Sequence, residues 1–104
     1  MAVEVVTDQD FEEKTSQGVT LTDFWATWCG PCKMQSPVIE ELSTKDNKVK
    51  FSKMDVDANP KTPESFGIMA IPTLLVKKDG QVVDRIVGYH SADQLEDILN
   101  KYTA

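Results

Sequence analysis

The sequence predicts a single α/β domain with a central mixed β-sheet flanked by α-helices. Three observations carry that expectation. Strand-like and helix-like segments alternate over the first part of the chain, an order that puts parallel strands in one sheet with helices as crossovers. The pattern then changes: two apolar runs meet at Asp79-Gly80, the strongest short hairpin signal, so those strands run antiparallel. A length of 104 residues, with 40% apolar and 27% charged side chains, fits one globular domain over residues 1–104.

Val3–Val6 is a short apolar run and reads as the first strand. Thr7 is placed to cap a helix over Asp8–Gln17, with Gly18 as its stop and Phe11 as its only large apolar residue. Val19–Trp28 is rich in β-branched and aromatic side chains and reads as the second strand. Pro31 suits the first helical position, where its missing N–H costs nothing. Met34, Val38 and Leu42 then recur at four-residue spacing and predict an apolar helix face. Pro37 inside that helix removes the bond to the Lys33 carbonyl and predicts a kink. Val49–Val56 alternates apolar and polar residues, the pattern of a third strand. The polar stretch DANPKTPESFG has room for a short helix before the hairpin strands Pro72–Lys78 and Gln81–Val87. Ser91 and Gln94 form a capping box, and Leu95, Ile98, Leu99 and Tyr102 follow at i, i+3, i+4 and i+7 as a closing amphipathic helix. No repeat, linker or low-complexity segment interrupts the order.

The net charge of −6, from 11 Lys and Arg against 17 Asp and Glu, argues against nucleic acid and anionic membrane as partners. No stretch approaches the ~20 apolar residues of a membrane span. The opening MAVEVVTDQD has no basic segment followed by an apolar run. The expectation is a soluble cytoplasmic protein, and in a reducing compartment a close cysteine pair is more often chemical than structural.

That pair, Cys29 and Cys32, holds the only cysteines and lies in WATWCGPCKM. Two buried apolar cysteines fit poorly with Gly-Pro between them, which puts the first at a chain turn. A structural zinc site wants four ligands, and the only histidine, His90, is far along the chain. A static disulfide would close a loop too short to remove much unfolded-chain entropy. A redox dithiol fits best. With a strand ending at Trp28 and a helix starting at Pro31, Cys29 precedes a helix N-terminus, where unpaired N–H groups and the helix dipole favour a thiolate. Cys32 lies one turn on, near enough to meet Cys29 in a disulfide and to attack a mixed disulfide formed by it.

WCGPCK within DFWATWCGPCK resembles the thioredoxin family, and the likeness extends along nearly the whole chain. It takes in the kinking Pro37, the DVDANP turn, Ile71-Pro72-Thr73, the KDG hairpin and Gly88. The resemblance implies a thioredoxin fold and a protein-disulfide reductase that works as an electron carrier in cell redox homeostasis. It implies that Cys29 is the exposed attacking thiolate and Cys32 the more buried resolving thiol. It implies no bound cofactor: the redox centre is the Cys29–Cys32 disulfide, re-reduced by a thioredoxin reductase to which the NADPH and FAD belong. No GxGxxG is present. Partners would be that reductase and disulfide-containing protein substrates, with the chain itself a monomer.

The resemblance also assigns roles outside the pair. Asp23 interrupts a strand that otherwise looks buried on both faces. It matches a buried aspartate that exchanges a proton with the resolving cysteine, and burial should raise its pKa toward neutrality. Otherwise it is an aspartate at a sheet edge, in contact with water. Lys53 matches a lysine near that carboxylate, with a solvated strand lysine as the alternative. Pro72 matches a cis-proline facing the disulfide, and Ile71 would pair through its backbone with an extended substrate. Trp28, Gly30, Pro31, Ile71, Pro72 and Gly88 would form a flat apolar docking patch, with Trp25 structural beneath it.

Other features read as structural. His90 is a loop residue, and Met54 and Met69 are packing residues. Asp55, Asp57 and Asn59 mimic the start of a calcium loop, but Pro60 and Phe66 replace its glycine and closing glutamate. No metal site is expected. Gln35, Ser36, Thr22 and Lys77 depart from the family pattern. Competing functions are an oxidant or isomerase of the same fold, which usually carries a histidine between the cysteines, a glutathione-dependent glutaredoxin, and a scaffold subunit whose redox pair is incidental.

Overall fold

A computed structural model describes residues 3–104 and shows a five-stranded mixed sheet with four helices. The elements run β1 (Val3–Val5), α1 (Phe11–Lys14), β2 (Val19–Trp25), α2 (Gly30–Lys45), β3 (Val49–Asp55), α3 (Lys61–Ser65), β4 (Thr73–Lys78), β5 (Gln81–Val87) and α4 (Ala92–Thr103). The sheet order is β1-β3-β2-β4-β5. β3 lies parallel to both β1 and β2, while β4 runs antiparallel to β2 and to β5. The alternation and the hairpin thus give the predicted mixed sheet. Asp79 and Gly80 both take positive φ, 50° and 86°, the backbone that a two-residue hairpin turn needs.

The sheet separates two apolar cores, and strand alternation assigns each side chain to one of them. Leu21, Leu74 and Val76 pack with Ile39 and Leu42 of α2 and Leu95 and Leu99 of α4. Phe24, Met54 and Leu75 pack on the other face with Phe11 of α1, against which Phe66 sits edge-on. β2 and β4 are buried on both faces, which makes them rigid supports for groups at their ends.

Several expectations need correction. The first helix is a single turn, and Thr7 does not cap it. Instead the Asp10 carboxylate accepts the Thr7 N–H at 2.7 Å, and with one buried apolar residue the segment cannot sustain a longer helix. α3 has no cap of its own either. Asp8 reaches across the sequence to accept N–H groups of Thr62 at 2.8 Å and Lys61 at 3.1 Å. β2 ends at Trp25, not Trp28, because Ala26–Trp28 turn the chain into α2, with the Cys29 N–H donating to the Ala26 carbonyl at 3.2 Å. The buried face of α2 is Cys32, Gln35, Ile39 and Leu42, whereas Met34 is exposed. Of the predicted series Met34, Val38 and Leu42, Leu42 lies on that buried face and Val38 packs partly against the core, so only Met34 falls outside it. Met69 is 98% exposed and is no packing residue, although Met54 is fully buried. α4 has the predicted capping box, with Ser91 accepting from Gln94 N–H and Gln94 accepting from Ser91 N–H. Among the described residues no helix is long and apolar enough to cross a membrane.

Candidate active site

Cys29 is the N-cap of α2, with extended backbone, and Gly30 and Pro31 form the first helical positions. Pro31 is thus second in the helix, where its missing N–H is still one that the helix would not use. Cys29 and Cys32 form a disulfide with Cα atoms 5.3 Å apart. The Cys32 N–H donates to Cys29 Sγ at 3.2 Å, so the first sulfur occupies the place of an N-cap acceptor. Both cysteines are almost fully covered, 4% and 3% exposed. Exposure in this oxidised form therefore does not separate them as the resemblance implied. Their surroundings do. Cys29 Sγ lies 3.8 Å from the Ile71 carbonyl, whereas Cys32 lines a cavity of about 310 Å³ together with Asp23, Trp25 and Lys53.

Asp23 is buried, and its Oδ1 has no hydrogen-bond partner. Burial pushes its pKa up to about 7, while the charge of Lys53, its register partner on β3, pulls the other way. A carboxyl at that value holds and releases a proton equally well near neutrality. The half-buried Lys53 is held beside it by strand pairing. Trp25 Nε1 is also unpartnered and lines the same cavity.

The remaining predicted residues lie at the start of α2, on the Ile71–Pro72 segment and at Gly88, and of these Ile71 packs against the cysteine pair. Trp28 is 69% exposed, and its indole N–H donates to Asp57 at 2.8 Å. Gly30 and Pro31 are exposed at the helix start. The Ile71–Pro72 peptide is cis. Pro72 is buried, and its carbonyl accepts the Gly88 N–H at 2.8 Å, tying the two segments together. Gly88 has φ +88°, which only glycine adopts without strain.

Two partners at the site escape a reading of the sequence. Asp57 stands out there only as a would-be calcium ligand. Asp55 instead closes a turn by accepting the Asp57 N–H at 2.9 Å, and this aims Asp57 at Trp28. Gln35 stands out only as a departure from the family pattern. It is buried and bonds to the backbone of His90 through both ends of its amide. Two of the other departures are also satisfied: the Thr22 hydroxyl pairs with that of Ser52 at 2.8 Å, and Lys77 is held by Glu12 and Thr15. Among the described residues, no cluster of three or more His, Cys, Asp or Glu side chains is arranged to hold a metal ion.

The family described as Thioredoxin matches residues 2–101. The thioredoxin of Listeria monocytogenes is 56% identical over 101 residues, covering 96% of this chain and 98% of its own. The thioredoxin of Staphylococcus aureus is 52% identical over 103 residues, covering 98% and 99%. A solved mutant thioredoxin from Halobacterium salinarum superposes with a TM-score of 0.89 at 34% identity, covering 97% of this chain and 90% of that one.

Proposed function

We propose that this chain, which belongs to the thioredoxin family and is a thiol–disulfide oxidoreductase, uses Cys29 as its attacking thiolate and Cys32 as its resolving thiol. The observation that carries the assignment is the asymmetry of the pair: Cys29 accepts a backbone N–H at the start of α2, while Cys32 faces the cavity that holds Asp23. In the reduced protein the same N–H and the helix dipole favour negative charge on Cys29. The Cys29 thiolate attacks one sulfur of a substrate disulfide; that S–S bond breaks, and one substrate thiolate leaves. Asp23 takes the proton of Cys32 across the shared cavity, with Lys53 stabilising the carboxylate. The Cys32 thiolate then attacks Cys29 Sγ. The Cys29–Cys32 bond forms, the mixed disulfide breaks, and the second substrate thiolate leaves. Two electrons pass from the chain to the substrate, and the redox group is part of the chain itself.

Trp28, Gly30, Pro31, Ile71, Pro72 and Gly88 form the docking surface in this reading. An extended substrate pairing with the backbone at Ile71 would set its disulfide over Cys29, whose sulfur lies 3.8 Å from the Ile71 carbonyl. The oxidised pair is returned to the dithiol by thioredoxin reductase, which supplies FAD and NADPH, and the chain acts as a cytoplasmic monomer. The test is NADPH-dependent reduction of insulin disulfides with a thioredoxin reductase. Cys29→Ser should abolish turnover, and Cys32→Ser should accumulate a mixed disulfide through Cys29. A mixed disulfide that accumulates on Cys32 in the Cys29→Ser variant, with none on Cys29 in Cys32→Ser, would reverse the assignment.

A further inference from the structure

We infer that Gln35 is a positioning residue for substrate docking: its amide braces the loop between β5 and α4, and through it the Pro72 edge, against the helix that carries Cys32. The inference rests on the docking surface proposed above. Gln35 lies one turn after Cys32 on the buried face of α2. A buried side-chain amide must find partners for both its ends. Gln35 finds both on one residue of the loop: Nε2 donates to the His90 carbonyl at 3.0 Å, and Oε1 accepts the His90 N–H at 2.8 Å. Two opposed bonds fix the orientation as well as the position of the His90 backbone. An apolar side chain would hold it only by contact.

The linkage continues to the docking surface. His90 Nδ1 bonds to the Gly88 carbonyl at 3.0 Å, and the Gly88 N–H donates to the Pro72 carbonyl at 2.8 Å. Hydrogen bonds thus connect α2, the loop and the cis-proline segment in sequence. Without the Gln35 end, the loop bearing Gly88 and the exposed Tyr89 would have to be ordered at each docking event, and that loss falls on substrate affinity. A protein substrate that spans Pro72 and Gly88 feels it in full. A small disulfide that reaches only Cys29 feels less of it.

The test uses Q35L and Q35M, which keep the bulk and remove both bonds, and Q35M carries the test if the branched side chain folds poorly. Backbone exchange at the His90 N–H should accelerate at least ~10-fold relative to that of Leu99, a buried amide of α4. KM for insulin disulfides should rise about three- to tenfold, exceeding any change for a small aromatic disulfide by at least about threefold. An unchanged His90 exchange rate, an insulin KM within about twofold of the parent's, or equal losses on both substrates would overturn the proposal. Trp28→Ala in the same assay separates the two ideas. If it raises the insulin KM where Gln35 variants do not, the brace alone fails; if neither does, the docking surface fails with it.

Discussion

Replacing Asp23 with Asn should stabilise the oxidised protein in a strongly pH-dependent way. The carboxyl is buried and its pKa is raised from 3.8 to about 7. Between those values the folded chain binds a proton that the unfolded chain has released, so stability falls as pH rises. Below about pH 4 the carboxyl is protonated in both states and the penalty vanishes. Above about pH 7 it is complete, and the gap between 3.8 and about 7, at about 1.4 kcal/mol per pH unit, amounts to about 4 kcal/mol. Integrating the same two values, about 2–3 kcal/mol of that develops between pH 5 and pH 8. Asn is neutral throughout and carries none of this slope. Urea denaturation of both proteins at pH 5, 6, 7 and 8 measures the difference. The advantage of Asp23→Asn should grow by about 2–3 kcal/mol over that range. A difference constant to within about 0.5 kcal/mol would refute a raised pKa, and with it the case for Asp23 as a proton carrier. The same variant should reduce insulin disulfides at least ~10-fold more slowly at pH 7, because no side chain of matched pKa remains to accept the Cys32 proton.

Three further outcomes concern the frame around the site. Lys77 is only 2% exposed and its ammonium bonds to Thr15 at 2.8 Å and Glu12 at 3.0 Å over the Phe11 ring, so Thr15→Val should cost about 1–3 kcal/mol in urea denaturation. Lys77→Met should be neutral or stabilising, since it removes the buried charge along with its needs, and a loss above about 3 kcal/mol would show that the ammonium is held far better than its partners suggest. Ser91→Ala removes the acceptor for the Gln94 N–H and should lower stability by about 1 kcal/mol, or about 4–8 °C in Tm by calorimetry.

Both the fold class and the sulfur pair are legible in the sequence because their signals are local. Period-two and period-3.6 patterns mark strands and helices, Asp79-Gly80 marks the hairpin, and Ser91 with Gln94 marks the start of α4. The misreadings come where the local pattern does not show what partners or covers a side chain. Thr7 reads as a cap, yet Asp10 takes its N–H while Asp8 serves a helix beginning at Lys61. Met34, Val38 and Leu42 make a regular stripe, yet Met34 is exposed and the buried face of α2 holds Gln35, a polar residue that hydropathy assigns to solvent. Met69 reads as a packing residue by type but lies in a loop that nothing covers.

By itself the sequence determined the α/β class, the place of Cys29 ahead of a helix and the reach of Cys32 to it, because three residues of chain fix that geometry. Tertiary structure alone decided the rest. The common cavity of Asp23 and Cys32, the bond from Trp28 to Asp57 and the clasp of Gln35 on His90 each join elements far apart in sequence. Burial and hydrogen bonding depend on what packs around a residue, and that is settled only when β2, α2 and the loop before α4 come together.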